Sequence, residues 1–222
     1  MIATVLVASL ALVAVQGIQC PSRGMTPGAR QTVVDRHNQL RSSNAFGREK
    51  DGNSGRRAPP AKNMYKMEYD CELERIAQNW ASRCVYGHNP TRIQTGENIY
   101  YSSPTVQNDS PVAKAIDSWW SELAEFGVSR VSPNFQLKKT LYPAYHYTQM
   151  AWAKTTRVGC GHAKCSNMNF VVCNYRQQGN MIGEQIYEVA PRARRTPTAP
   201  RSPTRAAASP KDSAWPKIHF FT

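Results

Sequence analysis

Apolar residues recur along this chain with two periods, and the residues between them mark off the elements. Thr26 followed by Pro27 reads as a helix start, with a side-chain acceptor at the N-cap and proline in the first turn. Val33, Val34 and Leu40, with His37 beside them, carry that helix to about Phe46. Residues 47–62 are rich in Gly, Pro and charge without an apolar period, so they read as a solvent loop. Asp70 is placed to cap a second helix whose inner face is Leu73, Ile76, Ala77 and Trp80. Residues 96–101, GENIYY, read as a strand, and 102–110 as a loop. Ser110-Pro111 repeats the cap-and-proline start, and Ala115, Ile116, Trp119, Trp120 and Leu123 form the apolar face of a third helix ending near Gly127. A loop is expected from there to Tyr145.

The densest stretch is 146–180. It holds three of the six cysteines and two of the five histidines. FVVC at 170–173 is a short β-branched run, a buried strand by length and composition. VGCGHAKC before it reads as a second strand, with 166–169 as the turn, which makes a cysteine-bearing hairpin. His146, Gln149 and Trp152 are spaced to share a helical face. Helices alternating with a few strands, closed by a late hairpin, give an α+β fold.

The two ends differ from the middle. Residues 2–15 are almost wholly apolar, too short to cross a bilayer, and followed by small residues such as Gly17. They read as a signal peptide, residues 1–17, of a secreted, extracellular protein. In that setting an even six cysteines point to three disulfides. The one tight spacing, Cys160 to Cys165, has no matching second pair and so does not make a zinc ribbon. Residues 191–222 carry six prolines and a charge of +6 out of the chain's +13. That segment reads as a basic, Pro-rich disordered tail, leaving 18–190 as one folded domain. Arg192-Ala193-Arg194-Arg195 matches a basic processing site, with cleavage expected after Arg195. A protein this basic is drawn to anionic partners: glycosaminoglycan, acidic lipid or, without specificity, nucleic acid. No nucleic-acid motif accompanies the charge. Asn108-Asp109-Ser110 is an N-glycosylation acceptor, whereas Asn89-Pro90-Thr91 is excluded by its proline.

Two long blocks resemble signatures of the CAP superfamily, the cysteine-rich secretory, antigen 5 and pathogenesis-related proteins. The first is His146-Tyr147-Thr148-Gln149-Met150-Ala151-Trp152. The second is Phe170-Val171-Val172-Cys173-Asn174-Tyr175, followed by Gly179-Asn180. His37-Asn38-Gln39-Leu40-Arg41 and Gly96-Glu97-Asn98-Ile99 fit two more of its motifs. Within the superfamily the chain is similar to the hookworm-type activation-associated secreted proteins of nematodes. Asn169 departs from that pattern, standing where those proteins often carry a further cysteine, and the basic tail replaces their cysteine-containing extension. The resemblance covers about 26–190. It implies a three-layer α-β-α sandwich with a small, mainly antiparallel sheet. It also implies the disulfides Cys84–Cys165 and Cys160–Cys173, which leaves Cys20–Cys71 as the third.

Residues alone offer histidines and carboxylates as candidate chemistry, without showing that they meet. The resemblance assigns His88, Glu97, Glu122 and His146 to the family's cleft, where two imidazoles and two carboxylates suit zinc or a similar divalent ion. Three readings stay open for these four: a polar network that holds the layers together, weak metal binding, and metal-assisted catalysis with Glu97 or Glu122 as general base. His37 reads as a hydrogen-bonded histidine fixing helix to sheet, His162 as exposed, and His219 as tail. No Gly-x-Ser-x-Gly occurs, and paired cysteines supply no thiolate. Tyr145, Tyr147 and Trp152 match an aromatic spacing proposed for sterol recognition, although aromatics beside a cysteine hairpin are ordinarily core.

The expectation is a secreted CAP-domain protein that binds an extracellular protein or receptor, of host or tissue, without catalysis. Zinc is expected to be held weakly and not to be needed for folding. A metal-dependent hydrolase and a lipid or sterol carrier are the alternatives.

Overall fold

A computed structural model describes residues 17–21, 24–104 and 110–191. The apolar segment at 2–15, the Asn108 acceptor, the Arg192–Arg195 site, His219 and all but the first residue of the tail lie outside the described residues.

The element order is α1 (Pro27–Ala45), β1 (Lys50–Asp51), β2 (Arg56–Arg57), β3 (Glu68–Tyr69), α2 (Cys71–Ala81), β4 (Gly96–Ser102), α3 (Pro111–Glu125), a 3-10 turn (Lys139–Ala144), α4 (Tyr145–Met150), β5 (Arg157–Lys164) and β6 (Asn169–Arg176). The three long helices start where side-chain caps are available. Thr26 accepts from the Ala29 amide, Asp70 from those of Glu72 and Leu73, and Ser110 from that of Ala113.

The main sheet runs β3-β5-β6-β4. β5 pairs with β6, and β6 with β4, in antiparallel register, while the two-residue β3 joins β5 in parallel. Alternation along the strands separates two cores. Phe170 and Val172 face α2 with Ala77, Ala81 and Ile99. Val158, Cys160, Val171, Cys173 and Tyr175 face the opposite layer, with Val33 of α1, Ile116 and Trp119 of α3, and Tyr147 of α4. This is an α+β, three-layer α-β-α sandwich. Against the sheet, α2 lies so close that a Cβ on Gly159 or Gly161 would collide with its backbone, at Glu74 and Gln78 respectively.

Three disulfides staple the layers. Cys160–Cys173 ties directly paired residues of the hairpin, with Cα atoms 4.1 Å apart. Cys84–Cys165 joins the start of the connection after α2 to the hairpin turn, and Cys20–Cys71 pins the N-terminal lead-in to the first turn of α2. All three pairings are those expected, and no cysteine is left free.

Several segments depart from the sequence reading. Residues 47–62 are not simply a solvent loop: β1 and β2 form a small hairpin, and Asp51 is fully buried. Its carboxylate accepts from the amides of Ser54, Val128 and Ser129 and from the Ser129 hydroxyl, so a charged residue serves as an internal cap. Residues 128–144 also carry core, with Val128, Phe135, Leu137 and Leu141 buried. On α1 the buried face is Arg30, Val33, His37, Arg41 and Asn44, while Val34 and Leu40 are half-buried. On α2, Glu74 is buried, whereas Ile76 and Trp80 are half-buried. α4 ends at Met150, so Trp152 lies beyond it rather than on a helical face.

Polar groups on those buried faces are matched in pairs. Arg30 and Glu74 form a two-pronged ion pair of 2.7 and 2.9 Å between α1 and α2, and the Tyr69 hydroxyl donates to the same carboxylate. Arg41 donates to the carbonyls of Tyr65, Met150 and Trp152, gathering two segments, the approach to β3 and the end of α4, around one guanidinium.

Candidate functional site

The four candidate residues form two separate imidazole–carboxylate pairs, His88 with Glu97 and His146 with Glu122, on opposite faces of the start of β4. Glu97 and Asn98 are consecutive there, so their side chains leave opposite faces of the strand.

On the α2 side, Glu97 is fully buried as a side chain and Oε1 accepts from Nδ1 of His88 at 2.9 Å. The Asn89 amide donates to the same oxygen, and Asn174, directly opposite on β6, donates to Oε2. His88 lies in the connection after α2, where the Trp80 indole fixes the Gly87 carbonyl. Asn89 closes a local turn by accepting from the Thr91 amide and hydroxyl. Arg92 reaches within 3.9 Å of Glu97.

On the other side, Glu122 of α3 accepts from Nδ1 of His146 at 2.5 Å and from the Tyr147 amide at 3.0 Å. The His146 ring stacks on Trp119, whose indole donates to the Ile99 carbonyl of β4. Asn98 donates from its side chain to the His146 carbonyl. Both pairs are thus referenced to one strand end, one through Glu97 and the other through Asn98.

Chemistry follows from the tautomer. A carboxylate only accepts, so Nδ1 of each histidine carries a proton, and in the neutral imidazole Nε2 is the nitrogen with the lone pair. The His88 side chain is 48% exposed and that of His146 34%, whereas the two glutamates are nearly or wholly covered. Each imidazole is therefore oriented through Nδ1 by a carboxylate and stays partly exposed, the arrangement found behind metal-ligating histidines. Among the described residues no group of three or more His, Cys, Asp or Glu side chains is gathered to hold a metal ion.

The two sequence blocks around the site interlock. Gln149 is buried and accepts from the Gly179 amide, while its own amide donates to Thr155. Thr148 donates to Asn180, whose side chain donates in turn to the Tyr145 carbonyl. A Cβ at Gly179 would press into Trp152. Positions that look like a functional signature therefore also hold α4 against the segment that follows β6.

His37 is away from the pairs and fully buried. Nδ1 donates to the Val33 carbonyl and Nε2 accepts from the Tyr175 hydroxyl, so it fixes α1 to the sheet as expected. His162 is half-buried rather than exposed and meets Asn169, whose amide holds the Ser103 carbonyl. Tyr147 and Trp152 are buried core residues, which removes the sterol-type aromatic surface that their spacing suggested. Sequence reasoning missed Asn98, Asn174 and Arg92. Strand alternation and the pairing of β4 with β6 are the signals that place the two asparagines.

The geometry has relatives. Residues 34–175 match a family model described as the cysteine-rich secretory protein family, CAP. The chain is 43% identical over 175 residues to Ancylostoma secreted protein of Ancylostoma caninum, covering 76% of this chain and 41% of that protein. It thus spans about two fifths of the length of that relative. It is 36% identical to Venom allergen 5.02 of Dolichovespula maculata, covering 74% of this chain and 79% of that one. A crystal structure of NaASP2 with Zn2+ superposes with a TM-score of 0.73 at 44% identity, covering 78% of this chain and 91% of the other. BmVAL-1 superposes with a TM-score of 0.72 at 35% identity, over 78% of this chain and 88% of the other. In sequence and fold, the chain belongs to the cysteine-rich secretory protein (CAP) family.

Proposed function

We propose that the protein is secreted and acts outside the cell by binding a partner, an extracellular protein or receptor of host or tissue, rather than by catalysis. Three disulfides suit an oxidising compartment. The relatives named as secreted proteins and venom allergens support the same location. The observation that carries the non-enzymatic reading is that both carboxylates are engaged in orienting the imidazoles. Each oxygen of Glu97 and of Glu122 already accepts from an imidazole, a backbone amide or Asn174. A general base needs a lone pair that reaches the proton it takes, whereas the Glu97 side chain is wholly covered, that of Glu122 is 14% exposed, and both are held against a histidine.

For a divalent ion the donor set fits loosely. The residues that would hold it are His88 and His146 through Nε2, with Glu97 and Glu122 behind them. A bound ion would supply a Lewis-acidic contact for a carboxylate or carbonyl of a partner. Two imidazoles fall short of the three protein ligands usual at catalytic zinc, which supports weak and dispensable binding.

Labelled protein added to intact cells tests the reading. Binding should saturate, be competed by unlabelled protein and produce no turnover. Zinc-dependent hydrolysis of a peptide or ester that is lost in Glu97→Gln or Glu122→Gln, with the fold kept, would establish the hydrolase instead. For the segment 191–222 we propose a basic tail dispensable for folding, and the intact mass of the secreted chain reads whether it is cut after Arg195.

A further inference from the structure

A groove of about 370 Å³ lies between α2 and residues 89–95. Arg75, Arg83 and Arg92 line it, and no carboxylate is among its lining residues. The counter-charges lie outside: Glu72 pairs with Arg75, and Glu97 stands 3.9 Å from Arg92. Arg83 packs its guanidinium over the Trp80 ring at 5.3 Å, which holds it at the groove wall. Asn79 adds an amide, and Ile93, 80% exposed, adds an apolar rim. Thr95 also lines the groove and is buried to 3% exposure, yet its hydroxyl has no hydrogen-bond partner. A buried hydroxyl without a partner is costly, and a ligand oxygen would satisfy it.

We infer that this groove binds a sulfated oligosaccharide, a proposal that rests on the extracellular-binding reading and gives it a ligand class. Arg75 lies on α2, Arg83 two residues past its last residue Ala81, and Arg92 in the 89–95 segment, so the three cations come from separate parts of the groove wall. An extended ligand with anionic groups on successive sugar units meets such a spread set, whereas a single phosphate headgroup engages only part of it. Guanidinium groups match sulfate oxygens two at a time, and the asparagines and the Trp80–Ile93 surface suit sugar hydroxyls and C–H faces.

Calorimetric titration of the full chain with a heparin tetrasaccharide tests this. Wild type should bind, and its N- and O-desulfated counterpart should not. Arg75→Gln with Arg83→Gln should weaken binding by about tenfold or more, and Thr95→Val by about threefold, with unfolding temperatures unchanged. Replacing Arg194, Arg195, Arg201 and Arg205 of the tail by serine should change the affinity by no more than about twofold. Loss in the tail variant with retention in the groove variant would overturn the assignment, as would equal binding of the desulfated sugar or none in wild type. Arginine-dependent binding to phosphoinositide vesicles without binding to the tetrasaccharide would assign the groove to lipid phosphate instead. Saturable cell binding that survives removal of surface heparan sulfate would overturn the groove proposal alone. Absence of any saturable binding would overturn the broader reading.

Discussion

The Tyr175 hydroxyl donates to Nε2 of His37 across 3.0 Å, joining the last strand of the hairpin to the middle of α1. This bond requires a neutral imidazole, because Nδ1 already gives its proton to the Val33 carbonyl. Asn98 extends the chain, with its amide 3.4 Å from the Tyr175 hydroxyl and 3.1 Å from the His146 carbonyl. The packing of α1 and the placement of one site histidine therefore share one polar network.

That network gives the fold a pH dependence. Burial, with a smaller contribution from the positive charge of Arg41, lowers the His37 pKa from 6.5 to about 4, against a raising effect of the Val33 hydrogen bond. Between those values the unfolded chain binds a proton that the folded chain does not. Stability is therefore full above about pH 6.5 and is lost as pH falls through about 4, by ~3 kcal/mol in all. Urea unfolding of wild type and His37→Gln across this range checks it. The variant should be weaker at pH 7.5 and should show a shallower acid loss; parallel profiles would contradict the assignment.

The Arg30–Glu74 pair is buried on both sides, with 2% and 0% of the side chains exposed. Glu74→Gln leaves a guanidinium without its counter-charge in a dry setting and should cost about 3–5 kcal/mol. Replacing both residues by apolar ones of similar volume should recover much of that. Chemical denaturation of the two variants distinguishes the cases, and a loss under about 1 kcal/mol in the single variant would argue against a charged pair.

Arg41→Lys keeps the charge and loses the fork that reaches Tyr65, Met150 and Trp152 together. We expect a loss of about 2–4 kcal/mol. It should be accompanied by faster amide exchange in the 150–155 turn, read by hydrogen exchange with mass spectrometry.

Cys84–Cys165 closes a sequence separation of 81 residues. Changing both cysteines to alanine should lower stability by about 2–5 kcal/mol. The same change at Cys20 and Cys71 should leave the main sheet paired, since that bridge holds only the lead-in to α2. Equal loss of structure in both would contradict this division.

Much of the frame was legible because it depends on local rules. Thr26, Asp70 and Ser110 announced the helix starts, and the apolar period of Ala115 to Leu123 announced the face of α3. α1 was harder in detail: four of its five buried residues are polar, so apolar period alone cannot find the face that Arg30, His37, Arg41 and Asn44 occupy. Asp51 looked like a loop charge because its partners, Val128 and Ser129, are distant in sequence. Phe135, Leu137 and Leu141 lie in irregular backbone, which has no period to detect. At the site, residue types suggested histidine–carboxylate chemistry, and the family motifs suggested which residues. That His88 takes Glu97 while His146 takes Glu122 depends on the turn at Asn89 and on α4 meeting α3.

We propose that the two oriented imidazoles make a binding site and not a catalytic one. Calorimetric titration of zinc into wild type and into His88→Ala with His146→Ala tests it most directly. The account predicts weak binding in wild type that declines as pH falls, no measurable binding in the double variant, and an unchanged fold in the presence of a chelator. Equal zinc affinity in the two proteins, or unfolding on chelation, would contradict it.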